Sequence, residues 1–214
     1  MKRGIVVAGG TVDSGMKDIL ENREGGTIVI GVDRGISVFI RIGLQADYYL
    51  GDLDSIDSAD IPLIPKDRLH KFPAEKNASD LELALALCVE LDLDEVFVYG
   101  ATGTRWDHSF SNLLMLKRFY DLGLQVILAN EKNQARVLSS HQTIRKEEVE
   151  SYRYLSILPL SMGGVLVSET GVKYPLDQER LLFGQTRGVS NESIGEDIKI
   201  EVMEGVALLI LSND

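Results

Sequence analysis

Two carboxylates two residues apart, Asp52 and Asp54 in the segment Gly51-Asp52-Leu53-Asp54-Ser55, carry the clearest chemical signal in the sequence. In an extended backbone such residues point to the same side, which would bring the carboxylates together, with Gly51 leaving room for a ligand. Carboxylates this close repel one another unless a cation sits between them. Mg²⁺ suits the pair, because it binds carboxylate oxygen and keeps positions open for water and phosphate. The competing reading is a solvated turn, which Asp also favours.

Other chemically able residues stand in comparable places, each just after an apolar run: Gly9-Gly10-Thr11, Asp33-Arg34-Gly35, and the stretch Gly100 to His108. Ligands of open α/β sheets collect outside the carboxyl ends of the strands, so these segments are candidates for one site. In the last of them, Gly103 and Thr104 lead from a strand into a helix, whose free N–H groups could receive an anion, with Arg105 as a bidentate phosphate ligand. Thr104-Arg105-Trp106-Asp107 reads equally as a capping box. The loop lacks the Gly-Lys-Ser/Thr ending of a Walker A motif and the spacing of the dinucleotide fingerprint. His108 could serve as a base or be structural. Ser79-Asp80-Leu81-Glu82 has the form of another capping box, yet a helix starting after Lys76-Asn77-Ala78 could also bring Asp80 to a shared metal and Lys76 to a phosphate.

The elements needed to position these residues are legible. Gly4–Ala8, Thr27–Val32, Tyr48–Leu50, Glu95–Tyr99 and Gln125–Ala129 are continuously apolar, as parallel strands covered on both faces should be. Helical stretches at about 34–43, 79–91 and 107–122 have the length of crossovers. From about Asn130 the texture changes to short alternating runs such as Tyr152–Leu158 and Asp197–Val202, separated by Gly, Ser and Asn. Such runs suggest an antiparallel sandwich. The expected organisation is an open, mostly parallel α/β sheet domain over 1–131, followed by a β-sandwich domain over 132–214.

Composition limits the partners. With 33 acidic against 22 basic residues, a formal charge of −11 has the wrong sign for gripping nucleic acid. A nucleotide would need a divalent cation beside it, whereas a cationic small molecule would be attracted. No apolar run approaches the roughly 20 residues of a membrane helix, and Met1-Lys2-Arg3 leads into a strand-like run instead of a signal-peptide core. A cytoplasmic protein without membrane attachment is expected. The lone Cys88 excludes a disulfide framework and fits a core position.

Taken in order along nearly the whole chain, the segments Val32-Asp33-Arg34-Gly35, Gly51 to Ile56, Ser79-Asp80, Gly103 to His108, Gly171-Val172-Lys173-Tyr174-Pro175-Leu176 and Gly188-Val189-Ser190-Asn191-Glu192 resemble the bacterial thiamine pyrophosphokinases (thiamine diphosphokinases). The resemblance implies transfer of a pyrophosphoryl group from ATP to the hydroxyl of thiamine, giving thiamine diphosphate and AMP, in a homodimer. It implies that Asp33, Asp52, Asp54 and Asp80 form the acidic catalytic set, with Asp52, Asp54 and Asp80 as Mg²⁺ ligands. Arg105, Asp107, Gly103, Thr104 and Lys76 would then belong to the nucleotide site, and Ser190 with Asn191 to the thiamine site. Asn77 departs from the usual Asp, Ser79 from the commoner Thr and Trp106 from the more usual Phe. The carboxyl-terminal run Val206–Leu211 lacks the tryptophan of eukaryotic members.

Overall fold

The apolar runs of the first half form parallel strands, as their lack of a polar face requires. In a computed structural model, which describes residues 1–12, 14–71 and 78–214, they belong to a unit spanning Met1–Asn130. Lys76 and Asn77 lie outside the described residues. The elements run β1 (Arg3–Val7), α1 (Met16–Glu21), β2 (Ile28–Val32), α2 (Gly35–Ile42), β3 (Tyr48–Gly51), β4 (Leu69–Lys71), α3 (Asp80–Glu90), β5 (Glu95–Tyr99), α4 (Trp106–Asp121) and β6 (Gln125–Ala129). Their order across the sheet is β4-β3-β2-β1-β5-β6, each neighbouring pair parallel. The chain works outward from β1 through β2, β3 and β4, then returns to the other side of β1. In doubly wound sheets ligands collect at such a reversal, here at the carboxyl ends of β1 and β5.

One face of this sheet is sealed by α1 and α2. Ile5, Val7, Val29 and Tyr49 join Met16, Leu20, Ile36 and Phe39 in a core cluster that also takes in Leu53 and Ile56. Val6, Ile30 and Leu50, the alternate positions, are buried too, and α3 packs against β2 and β3. Cys88 lies fully buried on α3, where burial pushes its thiol up to about 12. The start of α3 follows from Ser79, whose hydroxyl accepts the Glu82 N–H at 3.2 Å. Only that half of the capping box forms, since the Glu82 carboxylate pairs with Arg118 of α4 instead. Ser79→Ala should cost about 1 kcal/mol, read as a lower denaturant midpoint with an unchanged m-value.

The second unit, Glu131–Asp214, has β7 (Asn133–Leu138), β8 (Gln142–Ile144), α5 (Lys146–Val149), β9 (Tyr154–Pro159), β10 (Val165–Thr170), β11 (Leu176–Leu181), β12 (Ile198–Glu204) and β13 (Ala207–Ser212). They form two antiparallel sets, β7-β13-β9 and β11-β10-β12-β8. One core joins them: Leu138, Leu155, Ile157 and Leu209 from the first set meet Ile144, Val165, Val167, Ile198 and Ile200 from the second. The period-2 burial along β10 and β12 is what a sheet with one solvated face requires. An α/β sheet domain followed by an antiparallel sandwich is thus the architecture. Among the described residues no helix is long and apolar enough to cross a membrane.

Candidate active site

The loops after β1 and β5 of the first unit are fastened to one another by backbone. Gly10 N–H donates to Gly100 O at 2.8 Å and Thr11 N–H to Thr102 O at 3.2 Å. A Cβ on Gly10 would lie 2.4 Å from Gly100 O, and one on Gly35 would lie 1.9 Å from Val7 O. Only glycine permits such approach. Asp33 follows β2 with a left-handed φ of 50°, and its N–H reaches across to Leu50 O at 3.0 Å. Its carboxylate lies over the next strand end, where a Cβ on Gly51 would come within 2.8 Å of Asp33 Oδ1.

The Asp52-Leu53-Asp54 segment is held by its middle residue. Leu53 is buried in the core beside Ile56, although this forces a branched side chain to a φ of 69°. With Leu53 turned inward, Asp52 is left half-buried and Asp54 exposed. Asp52 Oδ1 accepts the Asp54 N–H at 3.0 Å. The Asp54 carboxyl is raised above its usual range, first by a side-chain hydrogen bond with Asp52 and by that residue's charge, then by burial and the charge of Asp80; Arg34 opposes the shift. Asp54 thus lies near enough to Asp52, Asp80 and Arg34 to feel the charge of each. Among the described residues no three acidic, imidazole or thiol groups form a ready-made metal cage. Mg²⁺ seldom needs one: one or two carboxylates with water and substrate phosphate complete its shell, and a crowded Asp52–Asp54 pair fits that demand.

The Gly103–Asp107 loop differs from a simple capping box. The N-cap of α4 is Arg105, with no side-chain cap hydrogen bond. Ser109, one turn into the helix, ties the loop back instead: its hydroxyl accepts the Gly103 N–H at 3.1 Å and donates to Arg105 O at 3.0 Å. Asn112 binds Ala101 O at 2.7 Å, and Asn130 binds Thr102 Oγ1 at 3.1 Å. The Gly103 amide is thus already engaged. Arg105 forms a two-point pair with Asp107, Nε to Oδ1 at 3.2 Å and Nη2 to Oδ2 at 2.5 Å. The bond to Arg105 holds the Asp107 carboxyl below its usual range. Both side chains are exposed, as are Thr104, Trp106 and His108.

In the second unit the Gly188–Asn191 segment runs along β9. Ile157 N–H donates to Gly188 O, Leu155 and Asn191 exchange both backbone hydrogen bonds, each at 2.8 Å, and Ser190 N–H donates to Ser156 Oγ at 3.0 Å. Ser190, with a φ of 60°, is turned to solvent. Asn191 is buried and its amide is saturated: Oδ1 accepts Tyr174 N–H at 3.0 Å and Glu192 N–H at 3.1 Å, while Nδ2 donates to Tyr174 O and Glu169 Oε2, both at 2.9 Å. The Asn191 side chain is therefore an anchor, and Ser190 is the residue presented. Sequence reasoning missed Glu169, which stands 2% exposed at an inward position of β10. Burial pushes its carboxyl up to about 7 from 4.5, against the Asn191 bond, which lowers it. The folded state thus holds this proton more tightly than the unfolded chain, so the associated stability is complete below about pH 4.5 and is lost as pH rises through about 7. Glu169→Gln should accordingly gain on the wild type in thermal midpoint between pH 5 and pH 8.

Both halves of this arrangement have known counterparts. Residues 18–128 match the model of the thiamin pyrophosphokinase catalytic domain, and residues 141–207 that of the thiamin pyrophosphokinase vitamin B1 binding domain. The chain belongs to the thiamine pyrophosphokinase family. It is 31% identical to the thiamine pyrophosphokinase of Bacillus subtilis (strain 168) over 217 residues, covering 100% of both chains. The crystal structure of thiamine pyrophosphokinase from Bacillus subtilis superposes with a TM-score of 0.89 at 30% identity, again over 100% of both chains. That of thiamin pyrophosphokinase from Geobacillus thermodenitrificans gives a TM-score of 0.85 at 28% identity, over 99% of this chain and 98% of the other. In the thiamine pyrophosphokinase frame, Asp33, the Asp52–Asp54 pair, Asp80 and the Arg105 loop fall in the catalytic-domain match, whereas Glu169, Ser190 and Asn191 fall in the vitamin B1 match.

Proposed function

We propose that this chain transfers a pyrophosphoryl group from Mg²⁺-bound ATP to the hydroxyl of thiamine, giving thiamine diphosphate and AMP, as a cytoplasmic homodimer. The observation that carries the reading is the crowding of Asp54 against Asp52 and Asp80 at a strand end of the catalytic-domain match, a set of like charges that a phosphate-bound cation would relieve. Asp52, Asp54 and Asp80 would hold Mg²⁺, which when bound offsets phosphate charge and orients the phosphates. Arg105 and Asp107, with Gly103 and Thr104, receive the nucleotide; Arg105 exchanges part of its pairing with Asp107 for a phosphate oxygen. Arg34 adds a second cation beside the acidic pair. The thiamine hydroxyl oxygen forms its new bond to the β-phosphorus as the bond from that phosphorus to the α–β bridging oxygen breaks, and AMP departs with that oxygen. Asp33, over Gly51, accepts the hydroxyl proton. Positioning and fixed charge carry most of the acceleration.

Thiamine is a cation, and a chain of charge −11 favours its approach. Ser190 faces solvent on its anchored segment and offers a hydroxyl to it. Support for the dimer comes from α4, where Trp106, Phe110 and Leu114, one turn apart, are 86%, 63% and 47% exposed, an apolar stripe that a second copy could cover. Incubation with Mg²⁺, ATP and thiamine, followed by identification of both products, tests the reaction. Thiamine diphosphate with AMP upholds it; thiamine monophosphate with ADP would make the chain a simple kinase, and nucleotide breakdown indifferent to thiamine would make it a hydrolase.

A further inference from the structure

Glu169 is a charged residue in an apolar place, and the proposed reaction does not use it. Along β10 it follows Val165 and Val167 on the core-facing side, opposite Leu176 of β11 and Ile200 of β12. Its Oε2 accepts from Asn191, while Oε1 is buried with no hydrogen-bond partner. A buried carboxyl with an orphaned oxygen is costly. Replacing it by an apolar residue would be the simpler way to fill this core. What the carboxyl supplies is the remaining bond of the Asn191 amide, whose other three tie down the backbone of Tyr174 and Glu192.

We infer that Glu169 is a positioning residue for the acceptor substrate: by fixing the Asn191 amide it sets the Ser190 and Tyr174 rim against which thiamine docks. This rests on the thiamine reading of Ser190 and Asn191 given above. Removal of Glu169 leaves an Asn191 N–H buried without an acceptor, so the amide must rotate or admit water, and either change shifts the exposed Tyr174 and Ser190 together. The state of the Glu169 proton enters as well, because a carboxylate accepts the Asn191 bond more strongly than a carboxylic acid. The titratable groups around it do not supply a countercharge. Lys173 pairs with Glu192 at 3.3 Å near the surface, and Tyr174 is exposed. Asp177 on β11 and Lys199 and Glu201 on β12 are turned to solvent, and Glu179 on β11 pairs with Arg187 at 2.8 Å.

The test compares the full-length wild type with Glu169→Gln, which keeps an acceptor and cannot ionise, and Glu169→Leu, which removes the acceptor. Without any ligand, the side-chain amide signals of Asn191 in ¹H–¹⁵N spectra should move with a midpoint near 7 in the wild type and stay still in Glu169→Gln. In turnover, Glu169→Leu should raise KM for thiamine roughly tenfold while KM for ATP and kcat stay within about twofold. Glu169→Gln should keep the KM and flatten its pH profile. The inference is overturned if the Asn191 signals ignore pH in the wild type, if folded Glu169→Leu keeps the wild-type KM for thiamine, or if both KM values rise alike. Should Glu169→Leu not fold, the pH profile of Glu169→Gln decides. A wild type that makes no thiamine diphosphate while its Asn191 signals titrate would refute the proposed reaction and leave the Glu169–Asn191 link standing.

Discussion

Replacing Asp54 with Asn will lower turnover by about a hundredfold or more and leave the fold unharmed. The side chain is exposed and supports no core, whereas its neighbour Leu53 is the residue that pins the loop. An amide at position 54 removes one of the carboxylates crowded against Asp52 and Asp80, so the thermal midpoint should hold or rise slightly. Loss of turnover with preserved stability is the signature of a charge kept for chemistry at a cost to the apo protein. Near-normal kcat in Asp54→Asn would remove this residue from the metal site. The companion variant Asp52→Asn, whose amide oxygen can still accept the Asp54 N–H, should lose activity and raise the Mg²⁺ concentration needed for half-maximal rate.

Gly35→Ala is the second change with a large effect, and it acts on the scaffold. A methyl there would stand 1.9 Å from Val7 O and 2.6 Å from Val7 C, backbone atoms of a central strand that cannot swing aside. Either β1 or the start of α2 must move, at about 3 kcal/mol, the upper end for overpacking. For a chain of this length that lowers the thermal midpoint by roughly 6–12 °C. Gly25→Ala, where nothing lies within 4 Å of the added methyl, is the matched control and should change little. A Gly35→Ala protein as stable as the wild type would contradict the tight seating of α2 on β1.

How much of this was readable beforehand depended on the kind of signal. Strands covered on both faces announce themselves by continuous apolar runs, so β1, β2, β3, β5 and β6 were legible within a residue or so. The Leu69-His70-Lys71 strand was not, because an edge strand of this length has no pattern to display. The spacing of Asp52 and Asp54 was legible but not its geometry: the expected extended backbone is instead a turn past the end of β3, with Leu53 at a left-handed φ and Asp52 bonded to the Asp54 N–H. Of the two readings of the Thr104–Asp107 stretch the capping box fails: the types are suitable, but Arg105 takes the N-cap position and Ser109 reaches back to bind the loop. That bond depends on three-dimensional curvature, for which no spacing rule prepares. Glu169 is the sharpest case. Alternation from Val165 and Val167 points it inward while its charge argues outward, and only the distant Asn191 resolves the conflict. The same distance hid the saturation of the Asn191 amide, whose partners come from β10, the Tyr174 turn and its own neighbour.

The backbone conformations carry a lesson for anyone seeking a more heat-resistant form. Non-glycine residues at left-handed φ among the described residues are Asp33, Leu53, Asp92, Gln178 and Ser190. Such conformations cost of order 1 kcal/mol or more each, and replacing them by glycine is an obvious route to hardening. Three of the five, Asp33, Leu53 and Ser190, sit at the acidic pair or in the segment proposed to meet thiamine, so relieving them would loosen the geometry that the proposed reaction needs. Asp92, just past the end of α3, and Gln178, in β11, lie outside it. Hardening should begin at those two, because a screen that selects on melting temperature alone would drift toward Asp33 and Ser190 as well, while the burial of Leu53 outweighs its strain and would hold that residue in place.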